Sequence, residues 1–140
     1  MPDDQIPPPI HPLQPPPPIN SESQARTWNM FCHLSALSGY IGLPFGNFLG
    51  PFLVWQIKKH EIPSVEVHAK VALNFQLTVF IALVVSAAAA FVLSFVCIGF
   101  LLIPVVGLVA LCGIIFPIIA AVKANDGIAY KYPYSLELLK

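Results

Sequence analysis

The sequence predicts an all-α integral membrane protein, and three observations carry that expectation. From Val71 to Val122 the chain runs 52 residues without a charged side chain. Hydrophobic residues make up 56% of the 140 and charged ones 10%, against about 25% charged in soluble domains. Glycine and proline cluster around Gly39–Pro51 and around Ile98–Pro104. A helix crosses the hydrocarbon core with about 20 apolar residues, and its backbone polar groups are satisfied internally. The pattern therefore predicts a broken helical hairpin, about 27–41 and 47–58. A long-helix transmembrane hairpin follows, about 65–97 and 101–124.

Residues 1–25 precede the apolar sequence, and nine of the fifteen prolines fall in residues 1–20. Few backbone donors remain there, so a disordered tail of polyproline II character is expected. Pro12-Leu13-Gln14-Pro15 fits a P-x-x-P ligand, or the segment is simply solvated. Met1-Pro2-Asp3-Asp4 lacks the basic start of a cleavable signal, so the first hydrophobic segment is expected to target the chain. Residues 26–135 form the multi-pass membrane domain and 136–140 a short tail.

The first uncharged run, residues 27–57, is long for one span and short for two. Gly39, Gly42, Pro44, Gly46, Gly50 and Pro51 break it, since both residue types interrupt helices. A full hairpin, a re-entrant loop and one kinked span all remain open. Asn47 is placed to cap the second piece. In the connector 58–70, Pro63 stops that piece, Ser64 is expected as the next N-cap, and Glu66 and Lys70 form an i,i+4 pair.

In the long helix, Ala82, Ser86, Ala90 and Ser94 recur every fourth residue. Such a small-residue stripe lets membrane helices approach closely. Gly107, Ala110 and Gly113 offer a matching face on the last helix, where Pro117 predicts a kink. Asn125-Asp126-Gly127 reads as its stop. Lys58, Lys59, Lys70, Lys123 and Lys131 flank one end of the hairpin, whereas Ile98–Pro104 carries no charge. The positive-inside rule then puts connector 58–70 and the C-terminus in the cytoplasm, in the inner (plasma) membrane. Trp28, Trp55, Tyr130, Tyr132 and Tyr134 suit interfacial belts.

No enzyme is expected. The chain has no phosphate loop, nucleophile elbow or intramembrane Asp pair. His60, Glu61, Glu66 and His68 lack zinc-site spacing, and Cys32, Cys97 and Cys112 form no Cys-x-x-Cys pair; they read as small buried hydrophobes. No metal or cofactor is therefore expected. Equal basic and acidic counts, seven each, give no field to attract nucleic acid. The candidate site is a buried polar cluster of His33, Asn47, Asn74 and Gln76. Intramembrane polar groups need partners, and the break at Gly39–Pro51 is the expected place for them. His33 is either functional or a neutral interhelical hydrogen-bonding group.

Several stretches together resemble a large bacterial family of small membrane proteins of unknown function. They are Trp28–Leu37, Pro44–Asn47, Gly50-Pro51, Trp55–Lys59, His68–Gln76, Phe116–Asn125, Gly127 and Tyr132-Pro133. That family is distantly similar to the twenty-kilodalton (Tic) subunit of the chloroplast inner-envelope import machinery. The resemblance covers about residues 26–135 and brings no catalytic set. It implies a component of a translocation or permeation pathway. The residues themselves favour an accessory module in the lipid bilayer that binds other membrane proteins or self-associates.

Overall fold

The computed structural model describes residues 19–139, with side chains from residue 21; the expected disorder and P-x-x-P segment before residue 19 lie outside the described residues. Among the described residues four α-helices form: α1 (Ile19–Leu34), α2 (Gly46–Lys58), α3 (Pro63–Ser94) and α4 (Ile103–Asn125). The described residues contain no strand. The all-α class and the order of broken hairpin then long hairpin are as expected. α3 and α4 are both long and apolar enough to cross a membrane.

α1 corrects one boundary. It begins at Ile19 rather than near residue 27, so residues 19–25 belong to a helix and not to a disordered tail. The Glu22–Arg26 pair at i,i+4 supports this added turn. After Leu34 the chain tightens into a 3-10 helix, Ser35–Ile41. Gly42 then takes φ 98° and Phe45 φ 57° before α2 begins. Hydrogen bonds inside the turn close it: Leu43 N to Ser38 O (3.3 Å) and Gly46 N to Leu43 O (2.9 Å). Ser38 Oγ adds contacts of 2.7 Å to Ser35 O and 2.8 Å to Gly46 O. A non-helical turn whose polar groups are met internally tolerates a lipid environment.

Only Gly42 in this break needs glycine's left-handed freedom. The others are small because two backbones meet. A side chain at Gly50 would run into the Ser35 carbonyl, and one at Gly39 would come within 2.8 Å of Asn47 N. One at Gly46 would come within 2.7 Å of Ser38 Oγ. Asn47 does not cap α2; Phe45 holds the cap position, and no side chain bonds there. Pro51 sits inside α2, buried. Pro63 opens α3 at its first turn instead of only closing α2. Ser64 is not a cap either, because its hydroxyl exchanges hydrogen bonds with the Asn29 amide at 3.0 and 3.1 Å.

α3 and α4 run antiparallel, with Phe75 against Phe116 and Val79 beside Gly113. α1 runs parallel to α3, since Asn29 meets Ser64 and His33 meets His68. α2 returns antiparallel, from Phe48 on Phe80 down to Trp55 beneath Lys70. The broken hairpin therefore ends near the level of Val79–Phe80. α3 continues to Ser94, roughly 20 Å further at 1.5 Å per residue. Over that outer half Val84, Val85, Phe91, Val92, Leu101 and Leu108 are exposed.

The small-residue stripe lies on the half-buried face of α3, but its partner differs from the one expected. Gly99 of the turn sits on the Ala90–Ser94 backbone, while Gly113 meets Tyr40 and Val79. Gly107 faces open space. Cys97 is exposed with φ 61°, and Cys112 is half-buried, so only Cys32 is a fully buried thiol. Gly127 (φ 78°) ends α4 as expected, with Ile128 N bonding Lys123 O at 2.9 Å. Beyond it, residues 128–139 form a strap without regular secondary structure that folds back along the helices.

Candidate functional site

α1, α3 and the strap meet at three side chains. His33, in the last turn of α1, is fully buried. Its Nδ1 lies 2.9 Å from Tyr132 Oη and its Nε2 lies 3.0 Å from His68 Nδ1. Tyr132, 3% exposed, stacks on Phe75 with centroids 4.1 Å apart and planes 11° apart. Burial pushes the Tyr132 phenol above its ordinary value, with Tyr130 and Cys32 adding to the shift. The hydroxyl therefore remains a donor.

The hydrogen-bond pattern assigns the protons. Tyr132 has one partner, so its O–H donates to His33 Nδ1. His33 then carries its proton on Nε2 and donates to His68 Nδ1. His68 is left with its proton on Nε2, the outer end of the chain. Of the three residues it is the most exposed, at 8%.

A second set of bonds holds the rest of the strap. Asn74 Oδ1 accepts from Leu138 N (3.1 Å) and Leu139 N (2.7 Å), and Asn74 Nδ2 donates to Leu139 O at 2.9 Å. One turn on, Thr78 Oγ1 accepts from Leu136 N at 2.9 Å. Between α3, α4 and the strap lies an apolar cavity of about 230 Å³, with Phe75, Ala82, Cys112 and Tyr134 in its wall. Tyr134 takes φ 58° there, which a tyrosine rarely adopts.

The four residues of the candidate cluster thus have separate fates. His33 bonds His68 and Tyr132, and Asn74 bonds the strap. Neither turns to the break. Asn47 stays at the break, half-buried, its backbone against Gly39. Gln76 is fully buried with neither amide atom partnered. Tyr132, expected in an interfacial belt, is core. Sequence reasoning missed it, along with the roles of His68 and Thr78. One signal was available: Asn74 and Thr78, at i and i+4, put two hydrogen-bonding groups on one face of an apolar helix.

Lys58 lies over the Trp28 ring at 4.9 Å and bonds Glu61 at 2.5 Å, and Lys70 bonds Glu66 at 2.6 Å as expected. Arg26 lies beside Gly127. The basic residues therefore gather at the end opposite the charge-free turn. Among the described residues no three His, Cys, Asp or Glu side chains gather as a metal site.

Fold and site together define a small helical membrane protein whose intramembrane polar groups hold its own C-terminal strap. The model of the MamF/MmsF family, the magnetosome magnetite crystal formation protein family, matches residues 24–139, and the chain belongs to this family. The match supports the bacterial part of the resemblance; it shows no likeness to the chloroplast import subunit. No curated protein and no solved structure matches the chain.

Proposed function

We propose that the chain is a non-enzymatic accessory module of the magnetosome membrane, which serves magnetite crystal formation by binding other membrane proteins. The family supplies the setting. The observation that carries the binding role is the uncovered outer half of α3 and α4, where Phe91, Val92 and Leu108 are exposed on helices with a small-residue stripe. Such faces associate through packing in lipid. Catalysis, by contrast, has little to work with, because His33, Tyr132 and Asn74 are occupied within the chain.

In this reading the basic end is cytoplasmic and the broken hairpin is re-entrant from that side, with its tip near mid-bilayer. A translocation role has less support, since the polar residues that would line a path bind the strap instead. The test is affinity purification in mild detergent from the native membrane. The expected result is a defined set of co-purifying membrane proteins, reduced when Phe91 and Leu108 are changed to Ala. Recovery of a bare monomer contradicts the proposal.

A further inference from the structure

The three bonded groups Tyr132, His33 and His68 have a consequence for control. Their hydrogen-bond chain runs in one direction, from the Tyr132 O–H through His33 to His68. A proton added to His68 Nδ1 turns that acceptor into a donor facing the His33 Nε2–H. His33 restores the bond only by moving its own proton from Nε2 to Nδ1, where it points at Tyr132 Oη. The Tyr132 hydrogen then has no acceptor, because Nδ1 of His33 is its one partner. A single proton gained at His68 Nδ1 therefore leaves one N–H or O–H unmet inside a buried site. It also puts an imidazolium charge where burial disfavours it.

We propose that the His33–His68–Tyr132 chain is a proton-operated latch, and that protonation at His68 releases the C-terminal strap from the helices. The strap suits release. It has no sheet or helix of its own, and over Ile128–Lys131 it is held by the Gly127 turn and by Tyr130, which packs on Tyr132. Release uncovers Phe75, His33 and His68 on the helices and Tyr132 on the strap, all at the basic end.

The surrounding ionisable groups leave the two imidazoles as the responsive pair. α1 brings Cys32, whose thiol approaches Val65 O at 3.8 Å, and Arg26, paired with Glu22. α2 and the connector bring Lys58, bonded to Glu61, and Lys59, bonded to Gln56. α3 brings Glu66 and Lys70, bonded to each other. α4 brings exposed Lys123, and the strap brings Tyr130 and the Lys131–Glu137 pair. None of these hydrogen-bonds either imidazole.

The inference rests on the accessory-module reading only for its purpose; the latch itself is tested without any partner. A spin label at Glu137→Cys, in a full chain carrying Cys32→Ala, Cys97→Ser and Cys112→Ala, reports strap mobility in liposomes. Electron paramagnetic resonance is recorded from pH 8 to pH 4.5, a range that brackets the ordinary imidazole value of about 6.5. The expected result is an immobile label at pH 8 and a mobile fraction about fivefold larger at low pH. His68→Gln offers an amide oxygen to the His33 Nε2–H and does not titrate, so its label should stay immobile throughout. The proposal is overturned if the parent label shows no rise, or if His68→Gln rises as the parent does. It is equally overturned if helicity, followed by circular dichroism, is lost over the same pH range.

Discussion

Tyr132 and His33 share a 2.9 Å hydrogen bond across 99 residues of sequence, inside a site where both are buried. That bond joins the chain's last segment to its first described helix, and the Phe75 ring beneath Tyr132 makes the seat apolar on one side. Removing the hydroxyl alone, with Tyr132→Phe, keeps the stacking and strands His33 Nδ1. The expected loss is about 1–3 kcal/mol. Tyr132→Ala also empties the seat and should cost roughly 3–5 kcal/mol. Thermal unfolding in detergent orders the two variants.

Asn74 and Gln76 are two residues apart, yet their substitutions should differ in sign. Asn74→Leu removes three bonds to the strap. It leaves the Leu138 and Leu139 amides without their acceptor, and the expected cost is about 1–3 kcal/mol. Amide hydrogen exchange should speed up at Leu138 and Leu139. Gln76→Leu removes a buried amide with no partner. It should be neutral or stabilising, by up to ~2 kcal/mol. A strongly destabilised Gln76→Leu would show that the amide has a partner in the membrane.

Glycines that look alike in the sequence separate in the same way. Gly50→Ala forces α2 off the Ser35 carbonyl and should cost about 1–3 kcal/mol. Gly107→Ala meets nothing within 4 Å. It should stabilise α4 by up to about 1 kcal/mol through helix propensity. Detergent melting curves of the two variants make the comparison.

Two of the cysteines report topology. Cys97 is exposed at the charge-free turn, whereas Cys32 is sealed between α1 and α3. A membrane-impermeant maleimide applied to the side opposite the basic end should label Cys97 and leave Cys32 untouched. Labelling of Cys97 from the same side as Lys131→Cys would contradict the proposed orientation.

What the sequence revealed of the fold follows from the physics of lipid. Absence of charge over Val71–Val122 marks the two long helices, and glycine with proline marks the break between α1 and α2. These signals are local, so a reading along the chain finds them. Helix starts were less legible, because Ser64 and Asn47 resemble caps but are engaged across the fold or sit just inside a helix. The strap was the least legible element. Tyr130, Tyr132 and Tyr134 are the residues an interface would also contain, and nothing local says that Tyr132 turns inward to reach His33. Partners were expected for the polar residues of these helices; those of His33 and Asn74 lie 35 to 99 residues away, and Gln76 has none among the described residues.

The polar residues of α1 and α3 hold the C-terminal strap against the helices. Disulfide formation between Thr78→Cys and Leu136→Cys, in a chain lacking the three native cysteines and kept in its own membrane, tests it most directly. Leu136 N lies 2.9 Å from Thr78 Oγ1, so a near-complete intramolecular crosslink is expected under mild oxidation, diminished by Asn74→Leu. No crosslink, or one formed only between separate chains, would contradict it.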